Sequence, residues 1–170
     1  MPVTARRSRL RRAAGIEGDH WVTGGAAGPV WPSAIPPPAH AALHWVLTDV
    51  AELPRVRAEL RRHASSRSGR QEDSTAADLR DRLVLALDEM ASNALRHGGG
   101  SPVEAAVRVT DEGYLIEVSD AAVQAPPTPA VGRDPSEGGL GLYLIAELAT
   151  LHGWYVHGGA KHVWALLPLR

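Results

Sequence analysis

The sequence predicts an α+β two-layer sandwich, with about three helices on one face of a mixed, mostly antiparallel sheet. Three observations lead there. Pro102 to Val109 and Tyr114 to Asp120 alternate in polarity around Asp111-Glu112-Gly113, a hairpin pattern. Trp154 to His157 and His162 to Leu167 repeat the pattern around Gly158-Gly159-Ala160-Lys161. Two long segments between the candidate strands instead place apolar residues every three or four positions, the period of a half-buried helix.

In chain order, His44 to Asp49 reads as a first strand with Trp45 and Leu47 on one face. Pro54 fits the first turn of a helix running to about Ala64, where its missing N–H costs nothing, and Val56 and Leu60 are its core residues. Ser65 to Ser74 is polar and turn-like. Thr75 with Asp78 three residues on is a capping pair for a second helix, which ends at Gly98-Gly99-Gly100. Its apolar stripe is Leu79, Leu83, Leu87, Met90 and Ala94. In the second strand of the first hairpin, Tyr114, Ile116 and Val118 share the core face, and Asp120 ends that face. Residues 121 to 138 hold Pro126, Pro127, Pro129 and Pro135 and read as a long loop, a length usually kept for function. Gly139 to Leu151 follows as a third helix, with Leu140, Leu144, Leu148 and Leu151 on one stripe.

At 170 residues the chain has enough length for one domain with a real core. There is no cysteine, which excludes disulfides, thiolate metal sites and cysteine nucleophiles. A formal net charge of −1 gives no general attraction to nucleic acid. No stretch reaches the roughly 20 apolar residues of a membrane span, so a cytoplasmic protein is expected. Residues 1–40 differ from the rest: Arg6, Arg7, Arg9, Arg11 and Arg12 precede Gly- and Pro-rich sequence. This reads as a disordered basic tail, with Trp21 and Trp31 as candidates for docking on a domain spanning 41–170.

Chemistry concentrates at three places. Glu89 and Asn93 stand four residues apart, hence one above the other on the second helix. A carboxylate there suits a general base, and a carboxamide oxygen suits a hard cation such as Mg²⁺. Asp120, at a strand end on the core side, needs a partner to be buried. Gly138, Gly139 and Gly141 open an apolar helix, where free N–H groups and the macrodipole favour an anion. No Gly-x-x-x-x-Gly-Lys-Ser/Thr occurs, which excludes a P-loop. His157 and His162 flank a turn with no third ligand nearby in sequence, so zinc is not expected.

In this order, base, amide, strand-end acid, loop and glycine-rich helix start resemble the nucleotide site of the GHKL, or histidine-kinase-like, ATPase superfamily. The resemblance covers roughly 41–170 and implies a Bergerat-type ATP-binding fold with ATP and Mg²⁺ as cofactors. It implies Glu89 as the catalytic base, Asn93 as the Mg²⁺ ligand, and Arg96, one turn later, facing phosphate. Asp120 would accept a hydrogen bond from the exocyclic amine of adenine. Gly138, Gly139, Leu140, Gly141 and Leu142 would contact the nucleotide where the third helix opens. Two positions depart from the family pattern. Ala122 replaces the glycine of Asp-x-Gly, and His162 falls where a Thr often assists adenine binding.

Within the superfamily the chain is most similar to small stand-alone proteins related to anti-sigma-factor serine/threonine kinases. The resemblance implies a regulatory kinase whose partner is a sigma factor or an anti-sigma antagonist, with a homodimer left open. The alternative is a nucleotide-responsive module that sequesters a transcription regulator without catalysis.

Overall fold

The computed structural model describes residues 31–67, 74–100, 102–129 and 140–169. The arginine cluster, Trp21, Gly138, Gly139 and the second half of the proline-rich loop, from 130 on, lie outside the described residues. The elements run β1 (His40–Leu47), α1 (Leu53–Arg67), α2 (Ser74–His97), β2 (Val103–Val109), β3 (Gly113–Asp120), α3 (Leu140–Leu148), β4 (Leu151–His157) and β5 (Ala160–Pro168). They form the expected α+β sandwich. The five strands are ordered β1-β2-β3-β5-β4, and every neighbouring pair is antiparallel. The parallel component expected of a mixed sheet is a single isolated bridge, Ser33 to Trp154, outside the named strands.

Local chemistry accounts for the boundaries. Asp49 caps a short 3-10 turn, Val50–Glu52, by accepting the Ala51 N–H at 2.7 Å, while the Glu52 carboxylate reaches back to the Asp49 N–H at 3.3 Å. The chain then enters α1 with Pro54 in the first turn. Helix α2 already includes Thr75, and the residue before Ser74 lies outside the described residues, so the expected Thr75 cap is not the helix start. Gly158 and Gly159, at φ 59° and 79°, alone make the two-residue turn between β4 and β5. Two positive φ values are the type I′ requirement that glycine meets without strain.

Core packing follows the period-2 and period-3.6 faces. Trp45 and Leu47 of β1, Val56 and Leu60 of α1, Leu83, Leu87 and Met90 of α2, and Tyr114, Ile116 and Val118 of β3 are all buried between sheet and helices. Helix α3 differs from expectation. Leu140, Leu144 and Leu151 are exposed, while Gly141, Leu142, Ile145 and Ala146 are buried. Leucine spacing selected the wrong side, because α3 turns Leu142 and Ile145, with Gly141 and Ala146, into the core. Leu148 is the member of the expected stripe that packs there, and the chain beyond Leu148 leaves the helix.

Part of the segment assigned to the tail is docked. Trp31 is buried, donates its indole N–H to the Leu142 carbonyl at 3.3 Å, and lies against the His152 ring. Pro32 and Ala34 bond to the backbone of Trp154, and the Trp164 indole donates to the Ala34 carbonyl at 2.7 Å. These contacts wrap the β4 edge and cover Leu115, Trp164 and Leu166 on the outer face of the sheet.

The same outer face carries a polar cluster centred on buried Glu117. Its carboxylate pairs with Arg108, accepts the Tyr155 hydroxyl at 2.7 Å and lies 2.9 Å from Nδ1 of His162. Burial, then the Glu117 contact, pushes the Tyr155 phenol up to about 12 from its ordinary 10.0. A raised folded value favours the neutral form. The resulting stabilisation is present below pH 10 and is lost as pH rises toward 12. Ultraviolet titration of the native protein should therefore show one tyrosine ionising last, and Tyr155→Phe should remove that step. A last step that persists in the variant would assign it elsewhere.

Candidate functional site

The site is assembled where the end of α2, the end of β3 and the start of α3 meet. Helix α2 carries the Glu-x-x-x-Asn pair. Asp88, one residue before Glu89, has its Oδ1 3.1 Å from Arg57 Nε of α1, an ion pair between the two helices in which Nε donates its hydrogen bond to the Leu53 carbonyl. Glu89 is half-buried and forms no ion pair among the described residues, unlike the surface glutamate that Arg82 or Arg96 would hold. Arg82 pairs instead with Asp78 at 3.4 Å.

Glu89 meets the start of α3 directly. A Cβ built on Gly141 would fall 2.8 Å from Cδ and 2.9 Å from Cβ of Glu89, so only glycine permits this approach. The glycine brings the carboxylate to the first turn of α3, beside the N–H groups that helix starts leave unpaired. Gly141→Ala should cost roughly 1–3 kcal/mol through overpacking and push Glu89 off the helix start. Chemical denaturation measures the first effect. An unchanged midpoint would mean that α2 and α3 yield freely to a methyl group.

Asn93 lies one turn beyond Glu89, half-buried. Arg96 and His97 are exposed in the last turn of α2. Leu140 is exposed, whereas the side chain of Leu142 belongs to the core and its carbonyl accepts the Trp31 indole, which leaves only its backbone N–H for a ligand.

Asp120 is where β3 was expected to place it, on the helix-facing side and buried. Its Oδ1 accepts the Ala122 N–H at 2.8 Å, and Oδ2 lies 3.2 Å from the Lys161 ammonium. Ala122 keeps a negative φ, since no non-glycine residue among those described has a positive one. Its backbone carries none of the left-handed strain that losing a glycine could impose. Gly98 and Gly99, which the sequence reading used only to stop α2, shape this corner. A Cβ on Gly98 would lie 2.5 Å from Cβ of Asp120, and one on Gly99, at φ 76°, 3.5 Å from the Ala122 nitrogen.

His162 is not brought to Asp120. In the β3–β5 register Asp120 faces Lys161 and Ser119 faces His162. Side chains alternate along a strand, so His162 points to the outer face, stacked on Tyr155 with ring centroids 4.6 Å apart. The residue beside the acid is Lys161. The four-residue turn expected at 158–161 hid it. The turn uses only the two glycines, and Lys161 is a strand residue.

Residues 46–165 match the family model of the histidine kinase-like ATPase domain, well over half of the chain. The chain belongs to this family and carries an ATP-binding domain of that type, consistent with the α+β sandwich. Among curated proteins none matches it. Among the described residues no helix is long and apolar enough to cross a membrane.

Proposed function

We propose that this domain binds Mg-ATP and transfers the γ-phosphate to a Ser or Thr of a partner protein, in the manner of anti-sigma-factor kinases. The observation that carries the reading is the contact of Glu89 with Gly141. It sets a carboxylate with no ion pair among the described residues at the mouth of an anion-attracting helix start. Glu89 is the base that takes the proton of the attacking hydroxyl. Asn93 would hold Mg²⁺, which draws its remaining ligands from phosphate oxygens and water and neutralises charge on the transferred group. The half-buried amide one turn from Glu89 suits that role. Asp120 would read the adenine amine, and the backbone around Gly141 would face the phosphates.

The expected client is a transcription regulator, a sigma factor or an antagonist carrying the acceptor Ser. Glu89 and Asn93 supply phosphate chemistry, and the family resemblance supplies the class of acceptor. The second reading is a sequestering module without catalysis. It draws on the pairing of Asp120 with Lys161, which occupies the residue expected to read the base.

Calorimetric titration with Mg-ATP, followed by capture of a partner and transfer of radiolabelled γ-phosphate, tests both readings. Binding with transfer to a Ser or Thr supports the kinase. Capture of a regulator without transfer supports the sequestering module. Phosphate release without any protein acceptor would defeat both.

A further inference from the structure

Both oxygens of Asp120 are engaged, one by the Ala122 N–H and the other by Lys161. The Lys161 ammonium also donates to the Ala125 carbonyl at 3.0 Å, which fastens the beginning of the loop after β3 over the pair. The two side chains are only 3% and 8% exposed, and Gly98 closes in on the carboxylate from α2. A purine amine approaching Oδ2 therefore meets another donor already in place. Each carboxylate oxygen has a second lone pair, but a side chain only 3% exposed gives an incoming amine no open approach while Lys161 stands against it, and a buried ammonium does not leave its partner without loss.

We propose that Lys161 determines the affinity of the base site by competing with the purine amine for Asp120, so that nucleotide binds by displacing it. The proposal rests on the adenine-reading role assigned to Asp120 above. Stability alone is a weak reason for such a pair, because apolar side chains of similar volume commonly stabilise a core as well or better. At the acid that reads the base, the pair instead sets how much of the binding energy of the base is realised. Loss of the Lys161 contact would also release Ala125, linking base recognition to the start of the loop.

Lys161 is the only lysine in the chain, so its amine can be followed by peptide mass spectrometry without a substitution. An amine-reactive reagent should label it slowly in the free protein. Saturating Mg-ATP should speed labelling by about tenfold, the scale of one hydrogen bond to a charged group. A purine triphosphate lacking the exocyclic amine should leave the rate unchanged. Unchanged or slower labelling with Mg-ATP would overturn the proposal. Independently, Lys161→Met keeps the apolar stem and removes the competitor, so calorimetry should show Mg-ATP binding about tenfold tighter, with no gain for the amine-lacking nucleotide. Equal or weaker ATP binding by the folded variant would also overturn it. If neither protein binds Mg-ATP, the ATP reading itself fails. If both bind and neither response occurs, only the role of Lys161 fails.

Discussion

Asp120→Ala is expected to destabilise the fold by about 3–5 kcal/mol, because it strands the Lys161 ammonium in a buried site. The sequence alone invites a different expectation, a modest loss of ATP affinity from one missing hydrogen bond. The structure places a folding cost ahead of any binding cost. The Lys161 side chain is 8% exposed and, among the described residues, retains only the Ala125 carbonyl as a partner in the variant. Urea denaturation measures the loss. Adding Lys161→Met to Asp120→Ala should recover much of it, since the uncompensated charge is then gone. A single-variant loss below about 1 kcal/mol would mean that water reaches the pair and that it behaves as a surface ion pair. Base recognition by Asp120 is better measured with Asp120→Asn, which keeps an acceptor oxygen beside Lys161.

Glu89→Gln should lower phosphotransfer roughly 10²–10⁴-fold while changing ATP affinity little, as expected for removal of a general base. The amide keeps the size that fits against Gly141 and loses the negative charge and with it the capacity to accept a proton. Asp88 is no ready replacement, because its carboxylate lies on the α1 side, 3.1 Å from Arg57. Transfer of radiolabelled γ-phosphate to the captured client, with affinity measured in parallel, separates the two effects. A variant that phosphorylates the client at the normal rate would remove Glu89 from the chemistry. A variant that fails to bind ATP would make its role one of binding.

Much of this architecture could be read from the chain because local chemistry and tertiary packing agree. The hairpin at Asp111-Glu112-Gly113 and Pro54 in the first turn of α1 satisfy short-range rules, with Asp111, Glu112 and Pro54 exposed. The stripe Leu83, Leu87, Met90 and Ala94 satisfies a helical period and a long-range burial at once. Glu89 and Asn93 were legible for the same reason, since a helix fixes the relation of residues four apart. Helix α3 was misread because its leucines carry a period without saying which side faces α2. Leu142 and Ile145 compete with those leucines in a helix apolar on both sides, and the close approach of Gly141 to Glu89 marks the side that is buried.

The sequence by itself determined the fold class, the helix bearing Glu89 and Asn93, and the strand-end position of Asp120, all set by periodicities within a single element. Only the tertiary structure decided what those residues touch. The two-residue turn at Gly158-Gly159 fixes the register of β5, and one residue of register decides which side chain crosses to which face. That register put Lys161 beside Asp120 and sent His162 to the outer face, to Glu117 and Tyr155. Likewise, the contact of Glu89 with Gly141 joins residues far apart in the chain, and only the packing of α2 against α3 could bring them together.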